Sequence, residues 1–325
     1  MKAAWYEKQG PAREVLTVGE MPDPVPAAGE VRIRVAASGI NPGDIKKPQD
    51  AFGYGMAFPR VIPHSDGAGR VDQVGPGVSP EWIGRPAWCF GAQSYRPFGT
   101  AAEFTVVPID QVAPLPGNVS VEQGACLGIP AITAHRCVHI AGPVTGRIVL
   151  VQGAAGSVGM CAVQLARFAG ARVIGTTRSS AEEPTARAAG AHEVLPNDQE
   201  LPARVRALAP ESVDHIVEVA FGGNIEADVE LLKLGGSISA YATDVAAPKI
   251  PFWQMVFKNI RLFFLGRDDF PKEAKTAAAR DLNGALAAGW SGFEIAERVP
   301  LAEIARAHEL VEHPKRYGRV VVALA

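Results

Sequence analysis

The sequence is poor in the features that mark disulfide scaffolds and cysteine-held metal clusters. Its four cysteines, Cys89, Cys126, Cys137 and Cys161, are scattered, with no CxxC pair among them. Such spacing builds neither a disulfide framework nor a four-cysteine zinc lobe. Charge of one sign is lacking too: 32 Lys and Arg stand against 34 Asp and Glu, a formal net charge of −2. Without a basic stripe there is no electrostatic footprint for gripping a phosphate backbone, and nucleic acid is not an expected partner. No apolar run approaches the roughly 18 residues that span a bilayer, so no membrane partner is expected. The opening MKAAWYEKQGPAREV has no apolar signal core. The expected setting is the cytoplasm, with reduced and mostly buried thiols.

What is present is a globular composition. The 325 residues, 47% hydrophobic and 20% charged, suffice for two domains with separate cores. The first third is β-rich, because runs such as EVRIRVAAS, GAGRVDQVG and AEFTVVP carry β-branched residues and are bounded by Gly, Pro or Asp. From about Val121 helices alternate with short apolar strands: RIVLVQG, a helix through MCAVQLARFAG, ARVIGTT, HEVLP, ELPARVRALA, DHIVEVA, a helix in the 224–234 region and GSISAYA. This alternation predicts a doubly wound parallel sheet with right-handed crossovers. After RLFFLG the rhythm breaks, and the closing strands FEIAERVP and GRVVVALA lack a βαβ partner of their own. They are assigned back to the N-terminal domain, which predicts an inserted nucleotide-binding domain and a ligand cleft beside it.

The strand RIVLVQ runs into Gly153-Ala154-Ala155-Gly156-Ser157-Val158-Gly159, and a helix follows at once. A strand, a tight small-residue turn and a helix N-terminus aim backbone N–H groups and a positive dipole end at a pyrophosphate. The bland alternative is a close-packed turn with no ligand. An NAD site expects an acid at the end of the second strand, but here the chain reads Gly175-Thr176-Thr177-Arg178-Ser179-Ser180. An arginine beside hydroxyls suits the 2′-phosphate of NADP, unless Arg178 is only a solvated loop residue.

With these residues in place, the chain resembles the zinc-free quinone oxidoreductase, zeta-crystallin-like branch of the medium-chain dehydrogenase/reductase superfamily. The resemblance is carried by SGINPGD at 38–44, SDGAG at 65–69, GACLGIPAITAH at 124–135, VQGAAGSVG at 151–159 and GAHEV at 190–194. It implies an α/β fold in which a Rossmann doubly wound parallel sheet (123–268) is inserted into a discontinuous β-rich GroES-like catalytic domain (1–122 and 269–325). It also implies NADPH as cofactor and a homodimer or homotetramer. The catalytic zinc ligands of related alcohol dehydrogenases fall on Asn41, Ser65 and Ile129, none a good ligand, with His64 one residue away. By resemblance Ala155, Gly156, Ser157, Val158 and Gly159 approach the cofactor phosphates. Arg178 and Asn197 lie along its adenosine end. Thr133, Tyr241, Ala242, Thr243, Phe264 and Leu265 face the nicotinamide.

The activity implied is hydride transfer to a quinone or related conjugated carbonyl compound. The alternatives are reduction of activated C=C bonds, or NADPH binding with little turnover. Asn41 would supply N–H donors to the oxygen that gains charge, and Lys46, standing where relatives often have a tyrosine nearby, would supply a cation. Tyr54 is a further tyrosine in that loop. Asn before Pro42 also suits a turn, and both roles are compatible. His135 and His139 share a helix face at i and i+4 but lack a visible third metal ligand, while His308 and His313 are explained by capping and solvent contact.

Overall fold

A computed structural model describes residues 1–51, 53–290, 292–314 and 318–324. The chain divides into two compact units, Met1–Pro130 with Pro271–Ala325, and Ala131–Phe270.

The first unit opens with β1 (Lys2–Trp5) and β2 (Thr17–Glu20), an antiparallel ribbon. Its centre is β3 (Glu30–Gly39), which pairs antiparallel with β4 (Asp66–Val74) and with β6 (Phe104–Pro108). Beyond β4 the sheet continues through β5 (Pro86–Cys89) to β7 (Val112–Pro114). In β3 the period of two is plain: Val31, Ile33, Val35 and Ala37 are buried, while Arg32 and Arg34 point the other way. The inward set packs on Val71, Ala87, Cys89 and Val107.

The second unit holds β8 (Ile148–Val151), β9 (Arg172–Thr177), β10 (Glu193–Pro196), β11 (Val213–Glu218), β12 (Leu232–Ala240) and β13 (Arg261–Phe264). All its pairings are parallel, in the order β10-β9-β8-β11-β12-β13. The order reverses between β8 and β11, and ligands of doubly wound sheets bind outside the carboxyl ends of the strands at such a switch point. Leu150, Ile174, Ile216 and Ile238 are fully buried and pack with Leu201, Val205, Phe221 and Ile225 of the covering helices. Central strands covered on both faces read as continuous apolar runs, which is what the sequence shows.

The chain then returns to the first unit. There β15 (Arg319–Ala323) pairs antiparallel with β3, and β14 (Ile295–Pro300) lies parallel beside β15. First and last segments therefore share one sheet, as the orphan strands FEIAERVP and GRVVVALA lead one to expect.

Candidate functional site

The turn after β8 is shaped by two glycines. Gly153 adopts φ +65°, a left-handed conformation that side chains disfavour, and a Cβ on Gly159 would stand 2.1 Å from the Gly153 carbonyl oxygen. The turn can thus fold tightly onto the helix Ser157–Phe168. Gly156 is the N-cap of that 12-residue helix and offers no side-chain cap. The first-turn amides, together with the positive end of the helix dipole, suit a pyrophosphate. Beneath the turn, the Gly153 N–H donates to Thr176 Oγ1 (3.2 Å), the Thr176 hydroxyl donates to Gln152 Oε1 (2.6 Å), and Gln152 Nε2 donates to Asp228 Oδ1 (2.8 Å).

At the carboxyl end of β9 the structure revises the sequence reading. Residues 175–180 hold no acid, yet the following turn folds Glu182 back to the strand end. The buried Glu182 carboxylate accepts from the Arg178 backbone N–H and from Arg178 Nη2, each at 2.9 Å. The two residues stand four apart, with the 3₁₀ turn Ser180–Glu182 bringing the carboxylate round. The Arg178 side chain is 85% exposed, so this pair holds it only loosely against solvent. Asn197 lies next door at the end of β10, its amide N–H donating to the Thr177 carbonyl (2.8 Å) and its side chain to Asn224 Oδ1 (3.3 Å).

The remaining cofactor candidates of this unit follow β12 and β13. Tyr241, Ala242 and Thr243 leave the end of β12, with the Tyr241 N–H on the Glu218 carbonyl and the Thr243 hydroxyl accepting from the Gly222 N–H. Phe264 ends β13 and meets Phe221 edge-on at 5.2 Å, and Leu265 donates its N–H to the Ala240 carbonyl. Ala155 and Thr133 are buried, the latter in the helix Gly128–His139.

In the first unit, Asn41 is buried and held through its backbone N–H and its side-chain amide. It caps the short helix Pro42–Lys46, its backbone N–H donating to Asp44 Oδ2 (2.8 Å). Its Nδ2 donates to Asp66 Oδ2 (2.7 Å), and its Oδ1 accepts from Arg319 Nη2 (2.6 Å). The same Asp66 oxygen accepts from the Ile129 backbone N–H (2.7 Å). Asp66 thereby gathers two of the three positions that match the zinc ligands of alcohol dehydrogenases, and the third, Ser65, is buried beside it in sequence. Asp66 and Arg319 enter the sequence only as members of SDGAG and of the closing strand, with no role read for them, since nothing in their spacing links residues 41, 66 and 319. Lys46 is exposed in the last turn of its helix, and Tyr54 is 89% exposed.

His308 departs from the sequence expectation. His313 is the exposed C-cap of the helix Ile304–Glu312, but His308 is buried and its Nε2 lies 2.9 Å from His64 Nε2. The chain continues from His64 Nδ1 to Ser38 Oγ (2.8 Å), to Thr100 Oγ1 (2.7 Å) and to the Asp66 carbonyl (2.7 Å). A carbonyl only accepts, so the Thr100 hydrogen goes there, Ser38 donates to Thr100, and His64 donates from Nδ1. This assigns the tautomers: His64 accepts at Nε2, and His308 donates from Nε2. Burial, reinforced for His64 by its neighbour, keeps both rings neutral, with His308 lowered to about 4. His135 and His139 do stack at 4.6 Å, yet among the described residues no group of three or more His, Cys, Asp or Glu is arranged to hold a metal ion. The four cysteines are buried and form no disulfide, and burial pushes the Cys89 thiol up to about 12.

Comparison with known proteins agrees with this architecture. The alcohol dehydrogenase GroES-like domain matches residues 27–117, and the zinc-binding dehydrogenase model matches residues 157–279. A quinone oxidoreductase of Rattus norvegicus is 31% identical over 324 residues, 98% of this chain and 96% of that protein. Among solved structures, a mycobacterial quinone oxidoreductase superposes with a TM-score of 0.89 at 25% identity, covering all of both chains. A second mycobacterial structure, solved in complex with NADPH, gives a TM-score of 0.84 at 26% identity, again over all of both chains. With the doubly wound sheet, the glycine turn and the discontinuous β-rich unit in view, this full-length likeness shows that the chain belongs to the zeta-crystallin-like quinone oxidoreductase branch of the medium-chain dehydrogenase/reductase superfamily.

Proposed function

We propose that the protein is an NADPH-dependent, zinc-independent oxidoreductase that delivers a hydride to a quinone or a related conjugated carbonyl compound. The observation that carries this reading is the turn at Gly153–Gly159, whose geometry fits a dinucleotide pyrophosphate, in a chain similar over its full length to a quinone oxidoreductase. When bound, NADPH supplies the hydride. The protein's own part is to bind and orient. The amides that open the helix Ser157–Phe168 hold the phosphates, and Arg178 turns from Glu182 to the 2′-phosphate. Thr133, Tyr241, Ala242, Thr243, Phe264 and Leu265 shape the nicotinamide end.

On the acceptor side, Asn41 Nδ2 carries two hydrogens, one of which goes to Asp66. The second is the donor assigned to the oxygen that gains charge. Such a donor stabilises the transition state more than the ground state, which is what raises turnover. Lys46 is assigned a secondary electrostatic role from the last turn of its helix.

The carboxylate of Asp66 is already engaged by Asn41 and by the Ile129 amide, and this supports a site that works without zinc. A homodimer is supported by β13, the edge strand of its sheet among the described residues, and by the exposed aromatic cluster Phe252, Trp253 and Phe257 that precedes it. Contiguous apolar surface of that kind marks association surfaces. No helix among the described residues is long and apolar enough to cross a membrane, and a cytoplasmic location is proposed.

The test is NADPH oxidation across a panel of quinones and enones, with product analysis. Quinone-dependent oxidation without C=C reduction supports the reading. Saturated products would replace it with an enone reductase, and tight NADPH binding without turnover would replace it with a nucleotide-binding protein.

A further inference from the structure

Below the dinucleotide turn lies a pair of acids that hydride transfer does not use. Glu218 ends β11, Asp228 sits on the inward face of the helix Phe221–Leu231, and both are wholly buried. Asp228 Oδ1 accepts from Gln152, whereas Oδ2 has no hydrogen-bond partner among the described groups; Glu218, bonded to Asn224 one helical turn earlier, is its carboxyl neighbour. Glu218 accepts from the Ala220 N–H and from Asn224 Nδ2, at 3.2 and 3.1 Å to its two oxygens. Two neighbouring carboxyls, both fully buried and one with an oxygen that no donor reaches, cannot both stay charged, so the pair holds one proton. Glu218 is the better supplied with N–H donors, which favours its charged form and leaves the proton on Asp228 Oδ2. Burial raises both acids, Asp228 well above the usual carboxyl range.

The other groups facing the pair are neutral. They are Gln152 just after β8, Asn224 from the same helix, and Tyr241 after β12, whose phenol is pushed up by burial with Cys137, Glu218 and Cys161 nearby, while Thr176 from β9 reaches the pair only through Gln152. No lysine, arginine or histidine is among the described groups that hold Asp228.

Asp228 Oδ1 is an acceptor in either protonation state, so what the proton governs is the strength of the pull on Gln152 and the repulsion from Glu218, and the orientation of Gln152 is carried on to the turn. With Gln152 Nε2 on Asp228, the Gln152 Oε1 must face Thr176, whose hydroxyl then donates to it and keeps a lone pair for the Gly153 N–H. We propose that Asp228, protonated and donating to Glu218, is a positioning residue that sets the Gly153 backbone of the dinucleotide turn through Gln152 and Thr176, so that NADPH is held tightly only while the pair keeps its proton. Loss of that proton to solvent base leaves two adjacent carboxylates that repel, and the Gln152 amide is drawn out of register with the turn. The inference rests on reading the turn as the NADPH site.

The experiment measures NADPH dissociation constants against pH, by nucleotide fluorescence, for the wild type, Asp228→Asn and Asp228→Leu, together with infrared spectra of the nucleotide-free proteins. Asn copies the protonated acid, donating from Nδ2 to Glu218 and accepting from Gln152 at Oδ1. Wild-type affinity is expected to fall through one alkaline ionisation. Asp228→Asn should stay within about threefold of the neutral wild type and be flat across that range, while Asp228→Leu should bind about tenfold more weakly at every pH. A carboxylic-acid carbonyl band should be present in the wild type and lost in Asp228→Asn. The same alkaline fall in Asp228→Asn, or no such band in the wild type, would overturn the proposal even if Asp228→Leu fails to fold. If the wild type binds no NADPH at any pH, the cofactor reading and the positioning role fall together, and the infrared band alone then decides the shared proton.

Discussion

Replacing His308 by Gln should make the protein more resistant to acid while leaving it nearly unchanged near neutral pH. The Gln Nε2 can take over the donation to His64 Nε2, so the hydrogen-bonded chain to Ser38, Thr100 and the Asp66 carbonyl survives. What disappears is a titrating ring. Burial lowers His308 to about 4 in the folded state. In the unfolded chain an imidazole titrates near about 6.5. Between these values the unfolded state binds more protons, so the contribution is fully present above about pH 6.5 and is lost as pH falls toward the folded value. At roughly 1.4 kcal/mol per pH unit, the 1.5 units down to about pH 5 amount to ~2 kcal/mol lost by the wild type and not by the variant. Urea unfolding followed by tryptophan fluorescence is the assay, because Trp5, Trp82, Trp88 and Trp290 all belong to the unit that carries His308. A wild-type-minus-variant stability difference that is the same at neutral pH and at about pH 5 would refute the neutral buried pair.

Arg178→Ala should raise the Michaelis constant for NADPH and leave that for NADH nearly unchanged. A charge-assisted contact of about 1.5–3 kcal/mol, less the ~0.5 kcal/mol needed to leave Glu182, predicts roughly a five- to seventyfold effect. Equal weakening of both cofactors would remove the 2′-phosphate assignment. Asn41→Ala should destabilise the protein by about 1–3 kcal/mol, since Asp66 and Arg319 each lose a buried partner. Measured where the variant is still folded, turnover should drop while the NADPH dissociation constant holds; unchanged turnover would leave Asn41 as a cap and a bridge only.

Much of the architecture was legible because it rests on local periodicity. The run RIVLVQ followed by Gly153–Gly159 became β8 and the turn, and EVRIRVAAS became β3 with its alternating burial. The networks were less legible, since each joins residues distant in sequence. Asn41, Asp66 and Arg319 come from three segments and meet only because β3, β4 and β15 are neighbours or share one sheet. His308 reads as a helix-surface residue until the buried Ile304 and Ala307 are seen on the same face. Asp228 hides in a similar way. Its spacing from Phe221 and Ile225 places it on the buried face, a sign that counting polar residues overlooks but helical phase reveals. Glu182 lies beyond the strand end in the sequence, and only the intervening turn brings its carboxylate back to Arg178.

Direct hydride delivery without metal is tested by single-turnover oxidation of NADPH carrying deuterium at C4, with a quinone as acceptor and protein that has been exhaustively chelated. The proposed function predicts oxidation by the chelated protein, slowed when the label occupies one C4 face and unaffected when it occupies the other. No oxidation until zinc is restored, or the same rate for both labels and for unlabelled NADPH, would contradict it.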